Sequence, residues 1–198
     1  MCIRDRYYFD SVRINLGIVQ SDVNVLWDLA VHDLSILFQL GGERPVSVSA
    51  SGVSHIENRP IDTVYLTLHY DSSFIAHVHV SWLAPIKIRH TTVAGDCKMA
   101  IYNDTESVEK LKIYDSGVDM KSASREDMNK LLVEYRAGDI YVPRLDSSEP
   151  LALLTADFYH AVCRSEKPLT GTEDGARVVR ILEAADRSIQ RNGERIAL

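Results

Sequence analysis

Between positions 46 and 82 most second residues are apolar, and this alternation limits the fold more than any other property of the chain. Val46, Val48 and Ala50 stand against Ser47, Ser49 and Ser51; Val64, Leu66, Leu68 and Tyr70 stand against Thr63, Tyr65, Thr67 and His69. Phe74, Ala76, Val78, Val80 and Trp82 then oppose Ile75, His77, His79 and Ser81. A period of two sends successive side chains to opposite faces of a sheet, so these segments are expected to be strands with one apolar and one polar face. Asp71-Ser72-Ser73 is a tight connection suited to an antiparallel hairpin.

The flanking sequence extends the pattern. Residues 7–16 read as a further strand ending near Gly17, with Arg13 and Asn15 on one face, and 87–93, 98–102 and 110–114 add more strands. Asn24 is expected to cap a helix whose apolar positions Val25, Leu29, Leu34, Ile36, Leu37 and Leu40 crowd more than one face, and Gly41-Gly42 ends it. Two helices close the chain. Ser148 is the expected cap of the first, with Pro150 in its opening turn and Leu151, Leu154, Phe158 and Val162 inward. Thr172 is the expected cap of the second, with Val178, Val179, Leu182, Ala185 and Ile189 inward and Asn192-Gly193 as its stop. Residues 195–198 return as an edge strand. The stretch 116–130 is polar and poor in β-formers, and 134–143 reads as a loop or short hairpin suited to a lid.

Strands followed by helices, rather than strict alternation, predict an α+β fold: an open, mainly antiparallel sheet with helices packed on one face. The other face, carrying Tyr65, His69, His77, His79, Lys87 and Arg89, suits either plain solvent or a wet interface with a second subunit.

At 198 residues, 45% of them hydrophobic, the chain can bury a full core and is expected to form one domain over 7–198. The first six residues do not join the alternation and read as an extraneous leader, with an ordinary frayed terminus as the alternative. A net charge of -6 implies no basic surface for nucleic acid. Cys2, Cys97 and Cys163 are odd in number and widely spaced, which argues against a disulfide framework and fits a reducing, cytoplasmic setting. No apolar run approaches the length of a membrane span.

Chemistry concentrates in Trp27-Asp28-Leu29-Ala30-Val31-His32-Asp33. Asp28 and His32 are four apart and share a helical face. An imidazole with a carboxylate neighbour can take a proton from a substrate hydroxyl near neutral pH, although the same spacing occurs on ordinary helix surfaces. Both interrupt an apolar helix, so each needs a partner. His77 and His79 point the same way from one strand and could join His55 or His69 around a cation, but no acidic cluster accompanies them. No GxGxxG, P-loop, HExxH or GxSxG motif occurs, so the usual devices for a dinucleotide pyrophosphate or a serine nucleophile are missing from the sequence.

Taken together, Asp28-Leu-Ala-Val-His32-Asp33-Leu34, Pro45-Val46-Ser47-Val48-Ser49-Ala50, Ser81-Trp82-Leu83-Ala84-Pro85 with Arg89, and Thr172-Glu-Asp-Gly175 through Ile181-Leu-Glu-Ala184 to Ser188 resemble the C-terminal domain of the glucose–fructose oxidoreductase/inositol dehydrogenase/MocA-like family. The resemblance runs from about Tyr7 to Leu198. It implies a substrate-binding and oligomer-forming domain that works beside an N-terminal Rossmann domain, which this sequence lacks. It also implies NAD or NADP as cofactor, held mainly by that other domain, a sugar-like substrate, and a homo-oligomer formed through the outer sheet face. The family's DxxxH motif maps onto Asp28 and His32, with His32 as proton-transfer residue, the general base or acid, and Asp28 as its orienter and a substrate contact; Asp33 is read as structural. The family's Glu-Lys-Pro lysine belongs to the absent domain, and Glu166-Lys167-Pro168 is read as a chance match at a helix end. Arg13-Ile-Asn15-Leu-Gly17, Asp22-Val-Asn24-Val-Leu-Trp27-Asp28 and Tyr135-Arg136-Ala-Gly138-Asp139 resemble a branch concerned with nucleotide sugars. Arg13, Asn15, Asn24, Trp27 and Tyr135 are accordingly candidate substrate contacts, each with a structural role as the alternative. Two rivals stand beside this reading: a catalytically inactive fragment that only folds and self-associates, and a metal-dependent enzyme built on His77 and His79.

Overall fold

The computed structural model describes residues 6–41, 44–115, 138–146 and 148–198, together with the backbone of 117–120 and 133–136. In chain order the elements are β1 (Arg6–Leu16), a five-residue π-helical turn (Leu26–Ala30) running directly into α1 (Val31–Gln39), β2 (Ser47–Val53), β3 (Thr63–His69), β4 (Ile75–Ser81) and β5 (Leu83–Gly95). There follow β6 (Met99–Asn103), β7 (Leu111–Tyr114), β8 (Gly117–Met120), β9 (Val133–Arg136), β10 (Ile140–Tyr141), α2 (Pro150–Arg164), α3 (Thr172–Gln190) and β11 (Ile196–Ala197).

Nine strands form one open sheet in the order β10-β7-β6-β5-β1-β4-β3-β2-β11, and β8 and β9 form a separate two-stranded sheet. Every pairing in the large sheet is antiparallel except β1 with β4. The expected α+β architecture is therefore observed. β1 sits between β5 and β4 in the middle of the sheet, so the strand that comes first in the chain carries Ser11 and Arg13 to the centre of its inner face.

The period-two pattern holds in register. Leu66 lies opposite both Ala50 and Val78, and Leu68 opposite Val48 and Ala76. All of these are buried, and together with Phe9 and Trp82 they make the sheet half of the core. The helical half comes from Val25, Leu26, Ala30, Leu34 and Leu37 on one side and Val178, Ile181, Leu182, Ala184 and Ala185 on the other. Ser188, fully buried on α3, locks that helix to the sheet: its Oγ accepts from Ala50 N–H at 2.8 Å and donates to Glu194 O at 2.6 Å. Gly193, at φ +88°, reverses the chain after α3 so that β11 can pair with the edge of β2; there a Cβ would also approach Ser51 Oγ to 3.3 Å.

Several expectations need correction. The predicted inward face of α2 is exposed: Leu151, Leu154, Phe158 and Val162 are 64–69% accessible, and no described residue of α2 is buried. Amphipathic spacing specifies a face but not that a neighbour covers it. On α3, Val179 is exposed while Ile181 is buried, because the packed stripe runs through 178, 181, 182 and 185, one helical step away from 179. The caps shift by one residue. Glu149 receives Ala152 N–H at 2.7 Å in place of Ser148, and Gly171 precedes α3, where Asp174 accepts Gly171 N–H at 3.0 Å. Arg89, placed on the outer face from the sequence, pairs across β5 with Arg13 and so lies on the inner face. Finally, part of the β-poor stretch 116–130 forms β8, whose backbone pairs with β9.

Candidate functional site

The helix bearing the Asp28–His32 spacing opens with Asn24, whose Oδ1 accepts Trp27 N–H at 3.2 Å as a capping side chain does. Its Nδ2 donates to Asp186 Oδ1 at 3.0 Å, and the Trp27 indole donates to Asp186 Oδ2 at 2.5 Å. Asn24 and Trp27 thus fasten the helix start to α3. The first turn, Leu26–Ala30, is π-helical, a wider winding that is rare and recurs at functional sites because it re-aims side chains.

Asp28 lies within that turn. Its Oδ2 accepts from the indole Nε1 of buried Trp82 at 2.8 Å, a contact between residues 54 positions apart. Among the described residues no hydrogen bond joins Asp28 to His32; the carboxylate acts on the imidazole through its charge. Asn15 approaches the same corner. A Cβ on Gly17 would come within 3.1 Å of Asn15 Nδ2 and 3.3 Å of Trp82 Cδ1, so glycine is what lets the end of β1 close over Trp82.

His32 stands exposed on α1, next to a buried ionic group. Asp33, 1% accessible, receives Arg13 Nε at 2.7 Å and Arg13 Nη2 at 3.1 Å, while Ser11 Oγ donates to it at 2.8 Å. Arg13 is therefore committed to a bidentate fork with Asp33. Partial burial, and next the Arg13 guanidinium, hold the His32 imidazole below its ordinary value; Arg89 acts in the same direction, and Asp33 and Asp28 oppose it. The imidazole is thereby biased toward its neutral form, the form that can accept a proton.

Beside Arg13 the inner sheet face continues past the helices into a polar niche of about 160 Å³ lined by Arg13, Ile36, Arg89, Thr91, Tyr102 and Asp104. Asp104 accepts from Arg89 Nη1 at 3.2 Å and from Tyr102 OH at 3.1 Å. Burial pushes the Asp104 carboxyl up, but these bonds and the Lys110 charge outweigh it and leave the group below its usual range. Burial, and then Asp104, raise the Tyr102 phenol. Sequence reading missed Tyr102 and Asp104 as members of this niche. The available signal was that both break the apolar character expected of an inner face.

The remaining candidates separate. Tyr135 belongs to β9 by its backbone, but its side chain lies outside the described residues, as do most of the first six positions. On the outer face, Tyr65 stacks on His79 with centroids 4.2 Å apart, and His77 Nδ1 lies 2.9 Å from Asp10 Oδ1. Among the described residues no group of three or more His, Cys, Asp or Glu is placed to hold a metal ion, so His77 and His79 gain no third ligand. No described helix is long and apolar enough to cross a membrane. Glu166 bridges His160 at 3.4 Å beyond the end of α2, remote in the chain from α1.

Residues 19–101 match the GFO/IDH/MocA C-terminal domain model. A search of curated proteins returns no match. Among solved structures, the UDP-N-acetylglucosamine 3-dehydrogenase of Acidithiobacillus ferrooxidans superposes with a TM-score of 0.70 at 21% identity, over 96% of this chain and 56% of that one. The aldose–aldose oxidoreductase of Caulobacter crescentus gives 0.72 at 15% identity, and GenD2 from gentamicin A biosynthesis, solved in complex with NAD, gives 0.73 at 16%; each covers 99% of this chain and 56% of its own. The chain thus spans a little over half the length of the proteins it resembles, and it shares their fold.

Proposed function

We propose, from the premise that residues 19–101 form a GFO/IDH/MocA C-terminal domain, that this chain is the substrate-binding and catalytic half of an NAD(P)-dependent oxidoreductase acting on a carbinol of a sugar or nucleotide sugar. The observation that carries this reading is His32. It is an exposed imidazole held toward its neutral form, on a helix start re-aimed by a π-turn and anchored through Asp28 to Trp82. Oxidation of a carbinol releases a hydroxyl proton as hydride leaves, and an imidazole nitrogen of His32 takes that proton. Asp28, fixed by the Trp82 indole, sets the pitch of the helix under His32. Arg13 acts through Asp33 and the field around His32 rather than by touching substrate. Asn15, beside Trp82, and the niche of Arg89 and Tyr102 supply hydrogen-bonding groups suited to hydroxyls.

A nicotinamide cofactor would supply the hydride acceptor. The residues present fit such a group in part. An exposed imidazole beside the niche of Arg13 and Arg89 suits a substrate lying against a nicotinamide, but the sequence contains no glycine-rich turn for the pyrophosphate, so its phosphates would be held by chain beyond these 198 residues. In the intact enzyme, His32→Ala is expected to lower kcat roughly 10²- to 10⁴-fold with KM little changed, measured by steady-state NAD(P)H absorbance. Unchanged turnover would remove His32 from the reaction.

The outer sheet face is the proposed self-association surface. A shallow hollow there, lined by Tyr8, Asp10, Thr67, Ile75, His77 and Thr92 among others, mixes apolar and polar groups in the manner of a wet interface. On the alternative reading the chain only folds and self-associates, and His32→Ala in the intact protein leaves turnover unchanged.

A further inference from the structure

Arg6, Arg44, Arg177 and Arg180 converge on one corner of the domain, where the end of α1, the first turns of α3 and the segment entering β2 meet. Two cavities open there. One, about 460 Å³, is walled by Arg44, Arg177 and Arg180, with Glu173 the single acidic side chain among its described lining residues and Leu198 also in its wall. The other, about 270 Å³, is walled by Arg6, Arg44 and Arg177 together with Phe38, Tyr70 and Phe74. Arg44 and Arg177 face both.

This concentration runs against the composition of a chain with 28 acidic and 22 basic residues. Ordinarily guanidiniums on such a surface find carboxylates. Here, among the described residues, Arg44 and Arg180 carry no ion pair, and Arg177 has only a long 3.8 Å contact to Asp174. Arg177 is instead positioned over the Phe38 ring, 5.1 Å from its centroid, and Arg6 donates to Gly41 O. Glu173, Ala176, Arg177 and Arg180 follow one another at helical spacing along a single stripe of α3, so both arginines of that helix project to the same side. Like charges held around one concavity repel until an anion neutralises them, and forked N–H groups match phosphate oxygens better than any other common ligand. Behind them, Tyr70 and Phe74 meet edge to face at 4.8 Å and, with Phe38, form an aromatic wall against which a planar group can lie.

We propose that this corner is a binding site for a small diphosphate-bearing ligand, its phosphates held by Arg44, Arg177 and Arg180. The site shares no lining residue with the niche beside His32 and is independent of the redox reading. Calorimetric titration of the 198-residue chain with inorganic pyrophosphate and, separately, with ADP tests it. Saturable binding of at least one probe is expected below about 1 mM. Tighter binding of ADP points to a nucleotide that uses the aromatic wall; tighter binding of pyrophosphate points to the diphosphate group alone. The exposed pair Arg44→Gln/Arg180→Gln is expected to weaken binding about tenfold or more without lowering Tm, whereas Lys87→Gln/Lys98→Gln, which removes the same charge elsewhere, leaves it unchanged. No binding of either probe up to about 5 mM, or equal weakening by both double variants, would overturn the assignment.

Discussion

Arg13, Asp33 and Ser11 show how a single buried charge organises its surroundings. With side-chain accessibilities of 11% and 2%, Arg13 and Asp33 are removed from water, and their stability rests on each oxygen having a donor. Taking away one partner leaves the other uncompensated, so Arg13→Ala is expected to destabilise the domain by about 3–5 kcal/mol in urea denaturation. Arg13→Met paired with Asp33→Leu is expected to recover most of that loss, since apolar pairs often replace buried ion pairs at little cost. The histidines act in the opposite sense. His32, His69 and His79 are each held below the ordinary value of 6.5, in every case first by burial. The unfolded chain therefore binds protons before the folded one does. Their contribution is fully present above pH 6.5 and is lost as pH falls from there through the lowered folded values. Urea midpoints measured between about pH 7.5 and about pH 5.5 are expected to fall accordingly, and His79→Gln to flatten that decline.

At the scale of elements, α2 and α3 both carry apolar stripes and meet opposite fates. The apolar stripe of α3 is fully packed, with Leu182 at 0% accessibility, whereas Leu154 and Phe158 on α2 are 65% and 67% accessible. Leu182→Ala is expected to cost about 2–5 kcal/mol, because it opens a cavity in the core. The double substitution Leu154→Glu/Phe158→Glu is expected to change stability by no more than about 0.5 kcal/mol, since it removes no packed contact. Thermal denaturation of both variants checks the contrast; a large loss in the α2 variant would mean that its face is covered in solution.

For the molecule as a whole, a nine-stranded sheet with helices on one side leaves its other side to be accounted for. The stacked Tyr65–His79 pair and the His77–Asp10 contact lie near the middle of that face. If two copies meet there, a stable contact needs on the order of 1,000 Å² or more of buried surface, which a sheet of this breadth can supply. Sedimentation velocity is expected to show a dimer or larger assembly that Tyr65→Asp converts to monomer, because an unpaired carboxylate would be desolvated at the contact. A monomer at all concentrations would remove the self-association reading.

The sequence by itself determined the strands of the central sheet from β1 to β7, the buried helix at 25–39, the one-sided packing of the sheet and the Gly193 reversal, because periodicity, capping and turn chemistry are local and act within a few residues. It also placed Asp28 and His32 on one helix. Tertiary structure alone decided which groups they meet: Asp28 finds Trp82 54 residues away, Arg13 finds Asp33, and Arg89 turns to the inner face through its register with β1. It decided as well that β1 inserts beside β4 in parallel and that α2 stays uncovered. Hydrogen-bond partners and neighbours are long-range choices, made by competition among many residues for the same buried space, and no local pattern in the chain records their outcome.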